Sequence, residues 1–244
     1  MAIEHGNKRI VTNGLLFCLD VANPISYPGT GSTWTDVIGG LSGTIDGASY
    51  NSDNGGSMLF DGSNDVVTFG SDGAAVINGL THLTLEMWFK ADVTSTNRGL
   101  IFGSNTSNDK DAGFSLRYDS SGVASSNMIK SAFGKNDDES VAYSPTWAEG
   151  QSNKQTTNWS NVMTTCDLSD SITFYINGGS SPAAFIYKGL QETVSSCDNL
   201  VIGRGSKTDN LWDGMISVVR IYNRILSAAE ALQNYNSVKW RYGL

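Results

Sequence analysis

The sequence is poor in the residue types that build metal centres, catalytic triads and nucleic-acid surfaces. Only two histidines, His5 and His82, occur in 244 residues. A histidine-rich zinc site or a serine or cysteine triad therefore has almost no ligand or base available. The net charge of −8 opposes binding to DNA or RNA, because that affinity depends on basic side chains that neutralise phosphates. We expect no nucleic-acid partner.

Cysteine is also scarce, with Cys18, Cys166 and Cys197 as the three thiols. They are too few for a disulfide scaffold, and none forms a CxxC pair. We expect buried, reduced thiols, as is usual in a reducing cytoplasm. A bridge between Cys166 and Cys197 is the alternative.

Long apolar runs are missing as well. No stretch of about 18 apolar residues exists, so we expect no membrane insertion. The first eleven residues, MAIEHGNKRIV, lack the apolar middle region of a secretory signal peptide. We expect a polar N-terminal arm over residues 1–12 and a single domain over 13–244, without a signal peptide.

What the sequence does contain is turn chemistry and alternating apolar residues. The 27 glycines and 16% charged residues suit many short strands joined by turns. Residues 83–90 alternate strictly, with Leu83 and Leu85 among the apolar positions, and this pattern predicts a half-buried strand. Asn177-Gly178 predicts a tight hairpin. Ser227 followed by Glu230 predicts a capping box that begins a C-terminal helix.

Five segments of the chain resemble, in the same order, the laminin-G-like branch of the concanavalin A-like lectin superfamily. They are GLLFCLDVANPISYPGTGSTWTDVIGGLSG, SMLFDGSNDVVTF, LTLEMWFKA, WSNVMTTCDLSDSITFYINGG and WDGMISVVRIYNRILSAAEALQNYN. The resemblance implies an all-β fold: a two-sheet antiparallel jelly-roll sandwich with a short C-terminal helix. Residues 91–158 depart most from the family.

Relatives of this kind often carry one structural calcium ion near the rim of the sandwich. Calcium takes oxygen ligands from carboxylates, amides and carbonyls. We expect at least one calcium ligand among Asp20, Asp61, Asp65 and Asp213, which lie at predicted strand ends. The alternatives are that Asp20 caps a turn and that residues 61–65 form an ordinary hairpin loop. No organic cofactor is expected.

The sequence lacks the carboxylate pattern of the sandwich-fold glycosidases. Those enzymes place carboxylates on alternate residues of one strand so that they enter one cleft. Neither ExDxE nor ExDxxE occurs, and Glu86 is alone on its strand. We therefore predict a protein that is not an enzyme.

Two functions are compatible with these features. The N-terminal segment resembles proteins of this fold from tailed phages, which implies a virion protein exposed on the particle surface. Its partners would be capsid or tail proteins and further copies of itself. The alternative is a carbohydrate-binding module for a cell-surface glycan, with Trp147 and Tyr143 as the favoured aromatic contacts. Trp88 is a third candidate, although it can equally fill the edge of the core.

Overall fold

The computed structural model describes residues 9–92, 98–104, 113–119, 128–134, 146–149, 156–167, 172–181, 185–186, 194, 197–205 and 210–244. Within these ranges the chain forms 17 strands and two α-helices. The strands are β1 (Leu15–Asp20), β2 (Thr33–Thr35), β3 (Ser42–Asp46), β4 (Ser49–Asn51), β5 (Ser57–Asp61), β6 (Val66–Thr68), β7 (His82–Ala91), β8 (Arg98–Ser104), β9 (Gly113–Asp119), β10 (Met128–Gly134), β11 (Thr146–Glu149), β12 (Ser160–Asp167), β13 (Ile172–Ile176), β14 (Gly179–Ser181), β15 (Phe185–Ile186), β16 (Asn199–Ile202) and β17 (Asp213–Tyr222). The helices are α1 (Gly70–Ile77) and α2 (Ala228–Val238), and α2 continues into a 3-10 turn, Lys239–Tyr242.

The strands form two antiparallel sheets. Sheet one has the order β14-β13-β12-β7-β17-β5-β4, and β1 also pairs with β17. Both β5 and β1 pair with β17, β5 with residues 213–216 and β1 with residues 218–222. Sheet two has the order β15-β11-β10-β9-β8-β16-β6-β3-β2. The predicted two-sheet antiparallel sandwich with a short C-terminal helix is confirmed.

The core lies between the sheets and is built by the alternation of the strands. Leu83, Leu85, Met87 and Phe89 of β7 all belong to it, as the period of two predicts. The intervening residues of β7 point to the opposite face of sheet one. Thr84, Glu86 and Trp88 on that face are buried, and the C-terminal helix covers part of it.

Beneath α2 the polar face of β7 forms a buried hydrogen-bond network around Glu86. The Glu86 carboxylate accepts two hydrogen bonds from Arg220 Nη1, both 3.1 Å. It also accepts from Asn161 Nδ2 at 3.1 Å and from Asn234 Nδ2 of α2 at 2.8 Å. Glu86 is 0% exposed and Arg220 2% exposed. The helix is therefore anchored to the sheet through a desolvated ion pair, to which Asn234 of α2 donates directly.

The same face carries a stack of four aromatic rings. Trp88 lies between Tyr235, at a centroid distance of 5.5 Å, and Tyr242, at 4.8 Å. Trp159 stacks on Tyr242 at 4.2 Å. The stack joins β7 to α2 and to the 3-10 turn, so the C-terminus is part of the packed structure.

The described end of the predicted N-terminal arm lies on this C-terminal unit. Val11 N donates to Asn234 Oδ1 at 2.8 Å, and Val11 O accepts from Tyr222 Oη at 3.1 Å. Gln233 Nε2 donates to Arg9 O at 2.7 Å. Residues 9–12 therefore contact their own domain, and residues 1–8 lie outside the described ranges. The division at residue 12 stays a prediction.

The three cysteines are free and buried, and the prediction of buried thiols is confirmed. Burial raises the pKa of the Cys197 thiol to about 12, and its Sγ donates to Gly103 O at 3.1 Å. Burial also raises the pKa of Cys166. Thiols with raised pKa values are poor nucleophiles, because the thiolate is the reactive form.

The predicted capping box of α2 is present and gives a testable pH dependence. Ser227 Oγ accepts from Glu230 N, and Ser227 N donates to Glu230 Oε2 at 2.9 Å. The Arg224 guanidinium donates to both Glu230 oxygens, at 2.6 and 3.0 Å. These hydrogen bonds lower the pKa of Glu230 from 4.5 to about 2, and the hydrogen bond from Arg224 contributes most to the shift.

We expect Glu230→Gln to reduce the free energy of unfolding near neutral pH by about 1 kcal/mol, the upper range for a partly exposed ion pair, because Gln can keep the capping hydrogen bond but not the charge that binds Arg224. Because the pKa of Glu230 is lower in the folded state than in the unfolded state, the difference should persist above pH 4.5 and disappear as the pH falls towards 2. Urea denaturation of both proteins across this range measures it. A difference that does not change with pH would show that Glu230 acts without its charge.

Candidate functional site

Three of the four predicted calcium ligands meet at one rim of the sandwich. Asp61 at the end of β5 is the direct cross-strand partner of Asp213 in β17. Asp65 Oδ2 accepts from Asp61 N at 2.9 Å, and Asp61 Oδ1 accepts from Ser63 N at 2.8 Å. These carboxylates thus cap the backbone of the 61–65 loop.

An arginine occupies the position between the oxygens at this rim. Arg98 Nη1 donates to Gly62 O at 3.1 Å and to Leu211 O at 3.0 Å. Its Nη2 lies 3.6 Å from Asp213 Oδ2. Two carbonyls and a carboxylate are typical calcium ligands, but here they bind a guanidinium. No cluster of three or more histidine, cysteine or acidic side chains suited to a metal occurs in the described ranges. This oxygen set does not fit a calcium ion while Arg98 is in place.

Asp20 lies elsewhere. It pairs with Val218 in β17, whereas Asp61 pairs with Asp213, so the two sites are about 17 Å apart along that strand. Calcium ligands lie within about 2.6 Å of the ion, so Asp20 cannot share one with the others. Its two oxygens accept from Arg241 at 2.7 and 2.8 Å, and Oδ1 also accepts from Ala22 N. Asp20 therefore caps a turn, the alternative that its sequence position suggests.

The calcium hypothesis stays a prediction, and the position of Arg98 argues against it. Calcium at a free concentration of 100 times the Kd of its site would raise the free energy of unfolding by about 2.7 kcal/mol. For a chain of this size, this corresponds to an increase in Tm of roughly 5–11 °C. We expect millimolar calcium and EDTA to leave the Tm unchanged within about 1 °C, far below that shift. A rise of several degrees that EDTA reverses would restore the hypothesis.

The three aromatic candidates have different outcomes. Trp88 is 0% exposed, and Tyr235 and Tyr242 stack on its ring, so it has no face for a sugar. The proposed role of Trp88 in sugar binding is therefore wrong, and its core alternative is correct. Tyr143 lies outside the described residues. Trp147 lies in β11, where the structure describes the backbone alone.

The register of sheet two places Trp147 in a row of residues that we call the outer row. Directly paired positions on neighbouring strands share one face of a sheet. The outer row follows the pairs Val201–Phe102, Phe102–Ser115, Ser115–Ala132 and Ala132–Trp147. The residues flanking it on β16 and β9, such as Leu200 and Leu116, belong to the core between the sheets. The outer row is thus on the face of sheet two directed away from sheet one.

Arg204 lies over this face. Its guanidinium carbon is 5.2 Å from the centroid of the Phe102 ring. The segment carrying it follows β16 and turns back, with Gly205 N donating to Asn210 O at 2.9 Å and Trp212 N to Gly203 O at 2.8 Å.

Gly99 allows this arrangement. A Cβ at position 99 would overlap the backbone of Arg204 and Gly205, so a side chain there would displace the turn. The absence of a side chain on β8 therefore fixes where Arg204 crosses the sheet.

Phe102 and Ser115 are 1% and 2% exposed, whereas Arg204 is half-buried. Contact with a ligand at this end of the outer row would therefore be made by Arg204. Sequence reasoning missed this arginine, because its pairing with Phe102 depends on a turn whose geometry no local motif specifies. A weak signal was available in VIGRG, where a cation follows a buried strand after a single glycine.

Solved structures of low sequence identity share the fold. Domain 4 of AbnA, an extracellular arabinanase from Geobacillus stearothermophilus solved with arabinotriose, matches with a TM-score of 0.61 and 18% identity over 91% of this chain and 98% of that domain. The binding domain of botulinum neurotoxin DC in complex with SialylT matches with a TM-score of 0.64 and 13% identity over 92% of this chain. A Trypanosoma rangeli sialidase with sialic acid matches with a TM-score of 0.63 and 18% identity over 95% of this chain.

This chain spans 51% of the toxin binding domain and 34% of the sialidase. No curated protein matches it. In the described part of the chain, neither helix is long and apolar enough to cross a bilayer. The model of the concanavalin A-like lectin/glucanases superfamily in its laminin-G form matches residues 60–231, more than half of the sequence. The chain belongs to this superfamily.

Proposed function

We propose that this protein is a carbohydrate-binding module without catalytic activity, and that the outer face of sheet two is its binding face. The half-buried Arg204, which lies over Phe102 of the outer row, carries the proposal. On sheet one, α2 and residues 9–12 cover β7 and its neighbours. On sheet two, the outer row leads from Arg204 to Trp147, and tryptophan rings are well suited to packing against the apolar face of a sugar.

The solved neighbours support a sugar as the ligand. AbnA domain 4 was solved with arabinotriose, and the toxin binding domain was solved with SialylT. At 18% and 13% identity these structures share the fold, so the ligand is carried over as a proposal.

The position of Glu86 supports the absence of catalysis. Glycosidases of this superfamily use carboxylates that reach the substrate. Glu86 is 0% exposed and its oxygens bind Arg220, Asn161 and Asn234, so it cannot transfer a proton to a sugar. We expect any glycan that binds to be recovered without cleavage. Release of reducing ends by the purified protein, lost in Glu86→Gln, would contradict this.

A glycan array followed by isothermal titration tests the binding function. We expect at least one glycan class to bind, and Trp147→Ala to weaken that binding about tenfold, equivalent to about 1.4 kcal/mol and to the usual value of an aromatic contact. Trp240→Ala is the matched control, because Trp240 is 60% exposed but lies beyond α2. An array without binding, or equal losses in the two variants, would count against the proposed face.

A structural role on a phage particle is the second candidate, and exposed apolar side chains favour it. Ile25 is 77% exposed and Ile38 is 50% exposed, and both lie in the turns that flank β2. A stable interface buries about 800 Å² per partner, and apolar side chains like these lie at the centre of such contacts. Light scattering after size exclusion should then show an oligomer that Ile25→Ser with Ile38→Ser dissociates. A monomer at high concentration would count against self-assembly.

A further inference from the structure

We infer that the glycan recognised by this protein is acidic, and that Arg204 binds its carboxylate. The inference rests on the proposed function and specifies the ligand class. The charge environment of Arg204 differs from that of the four described arginines that form ion pairs.

Four described arginines lie against an acidic side chain. The pairs are Arg98–Asp213, Arg220–Glu86, Arg224–Glu230 and Arg241–Asp20. Arg204 has no carboxylate within ion-pair distance among the described residues, and its Nε is buried without a hydrogen-bond acceptor there. Burial without an acid lowers its pKa. A half-buried cation in this state is stabilised by any ligand that brings an anion.

The ring of Phe102 holds this cation in place. A guanidinium over an aromatic face is attracted by the electrons of the ring, which offsets part of the cost of partial desolvation. The turn at Gly205, seated over Gly99, fixes the backbone from which the side chain extends. A positioned guanidinium loses little conformational entropy when it binds.

The chemistry of the group selects a carboxylate on a sugar. The planar fork of arginine matches a carboxylate in a bidentate geometry, and such charge-assisted hydrogen bonds are about twice as strong as neutral ones. A polyanion such as nucleic acid would need many basic side chains, which a chain of net charge −8 does not offer. A half-buried arginine without an acidic partner among the described residues, in a protein of net charge −8, therefore suits one acidic sugar.

The test is titration with matched probes: a sialylated oligosaccharide, an oligogalacturonide, the methyl ester of each, and arabinotriose as a neutral sugar. For the wild-type protein we expect at least one acid to bind about tenfold or more tightly than its ester, the range for a hydrogen bond to a charged group. The preferred acid identifies the source of the carboxylate. In Arg204→Met the acid and its ester should bind equally, and Arg204→Lys should keep part of the preference.

Lys239→Met is the control, because Lys239 also lies over an aromatic ring, 5.3 Å from the centroid of Tyr235, but on the side of α2. It should keep the full preference for the acid. Acids and esters that bind the wild type alike would overturn the inference and leave the proposed function standing, whether or not Arg204→Met folds. A lack of binding by every probe would overturn both.

Discussion

Glu86→Ala is expected to lower the free energy of unfolding by about 3–5 kcal/mol, because removing one partner of a buried ion pair leaves the other charge uncompensated. Arg220, at 2% exposure, would lose its carboxylate, and Asn161 and Asn234 would lose an acceptor. For a domain of this size the loss corresponds to a decrease in Tm of roughly 6–20 °C. Chemical denaturation and calorimetry measure it.

Two further variants distinguish the loss of the ion pair from nonspecific destabilisation by a substitution. Glu86→Leu combined with Arg220→Met removes both charges, and should recover part of the loss since buried pairs replaced by apolar residues are often tolerated. Recovery stays partial because Asn161 and Asn234 still lack their acceptor. His82→Ala, in a pair with side-chain exposures of 46% and 26%, should change stability by less than about 0.5 kcal/mol. A similar small effect for Glu86→Ala would show that the pair does not anchor α2.

Trp88→Ala is the second large effect, at about 3–5 kcal/mol, the usual cost of truncating a buried tryptophan. The rings of Tyr235 and Tyr242 would lose their shared partner, so the near-ultraviolet circular dichroism of the stack should fall as well. Trp88→Phe should cost less, since it keeps a ring in the stack and Trp88 Nε1 has no hydrogen-bond partner in the described structure.

Glycan binding by Trp88→Ala also shows whether Trp88 has a structural role or a binding role. Because its ring is enclosed, the folded fraction of Trp88→Ala should bind glycan as the wild type does. A variant that stays stable but loses glycan binding would show that Trp88 contacts the sugar after all.

Local sequence patterns predicted those elements whose structure depends on residues within the same strand or helix. The alternation of residues 83–90 gave the core face of β7, and Ser227 with Glu230 gave the start of α2. The same alternation gave no indication that the polar face of β7 would be buried, because this requires α2, which is more than 130 residues away in the sequence. Helix α1 was missed, since its glycine-containing sequence becomes helical through tertiary packing, with Gly73 against Leu200.

The candidate site was less predictable than the fold. Acidic residues at strand ends suggested calcium, but whether a carboxylate meets a metal or an arginine depends on residues distant in sequence. Asp213 meets Arg98 and Asp20 meets Arg241 through such contacts. Arg204 was missed for the same reason, because its position over Phe102 follows from strand pairing and from Gly99.

Hydrogen–deuterium exchange with and without the best-binding glycan tests the binding face most directly. We expect slower exchange in residues 99–103, 114–118 and 200–205, which lie in β8, in β9, and in β16 with the turn that carries Arg204, and no change in β1 or α2. Slower exchange confined to β1 and α2, or the same exchange with and without glycan throughout the chain, would contradict a glycan-binding face on sheet two.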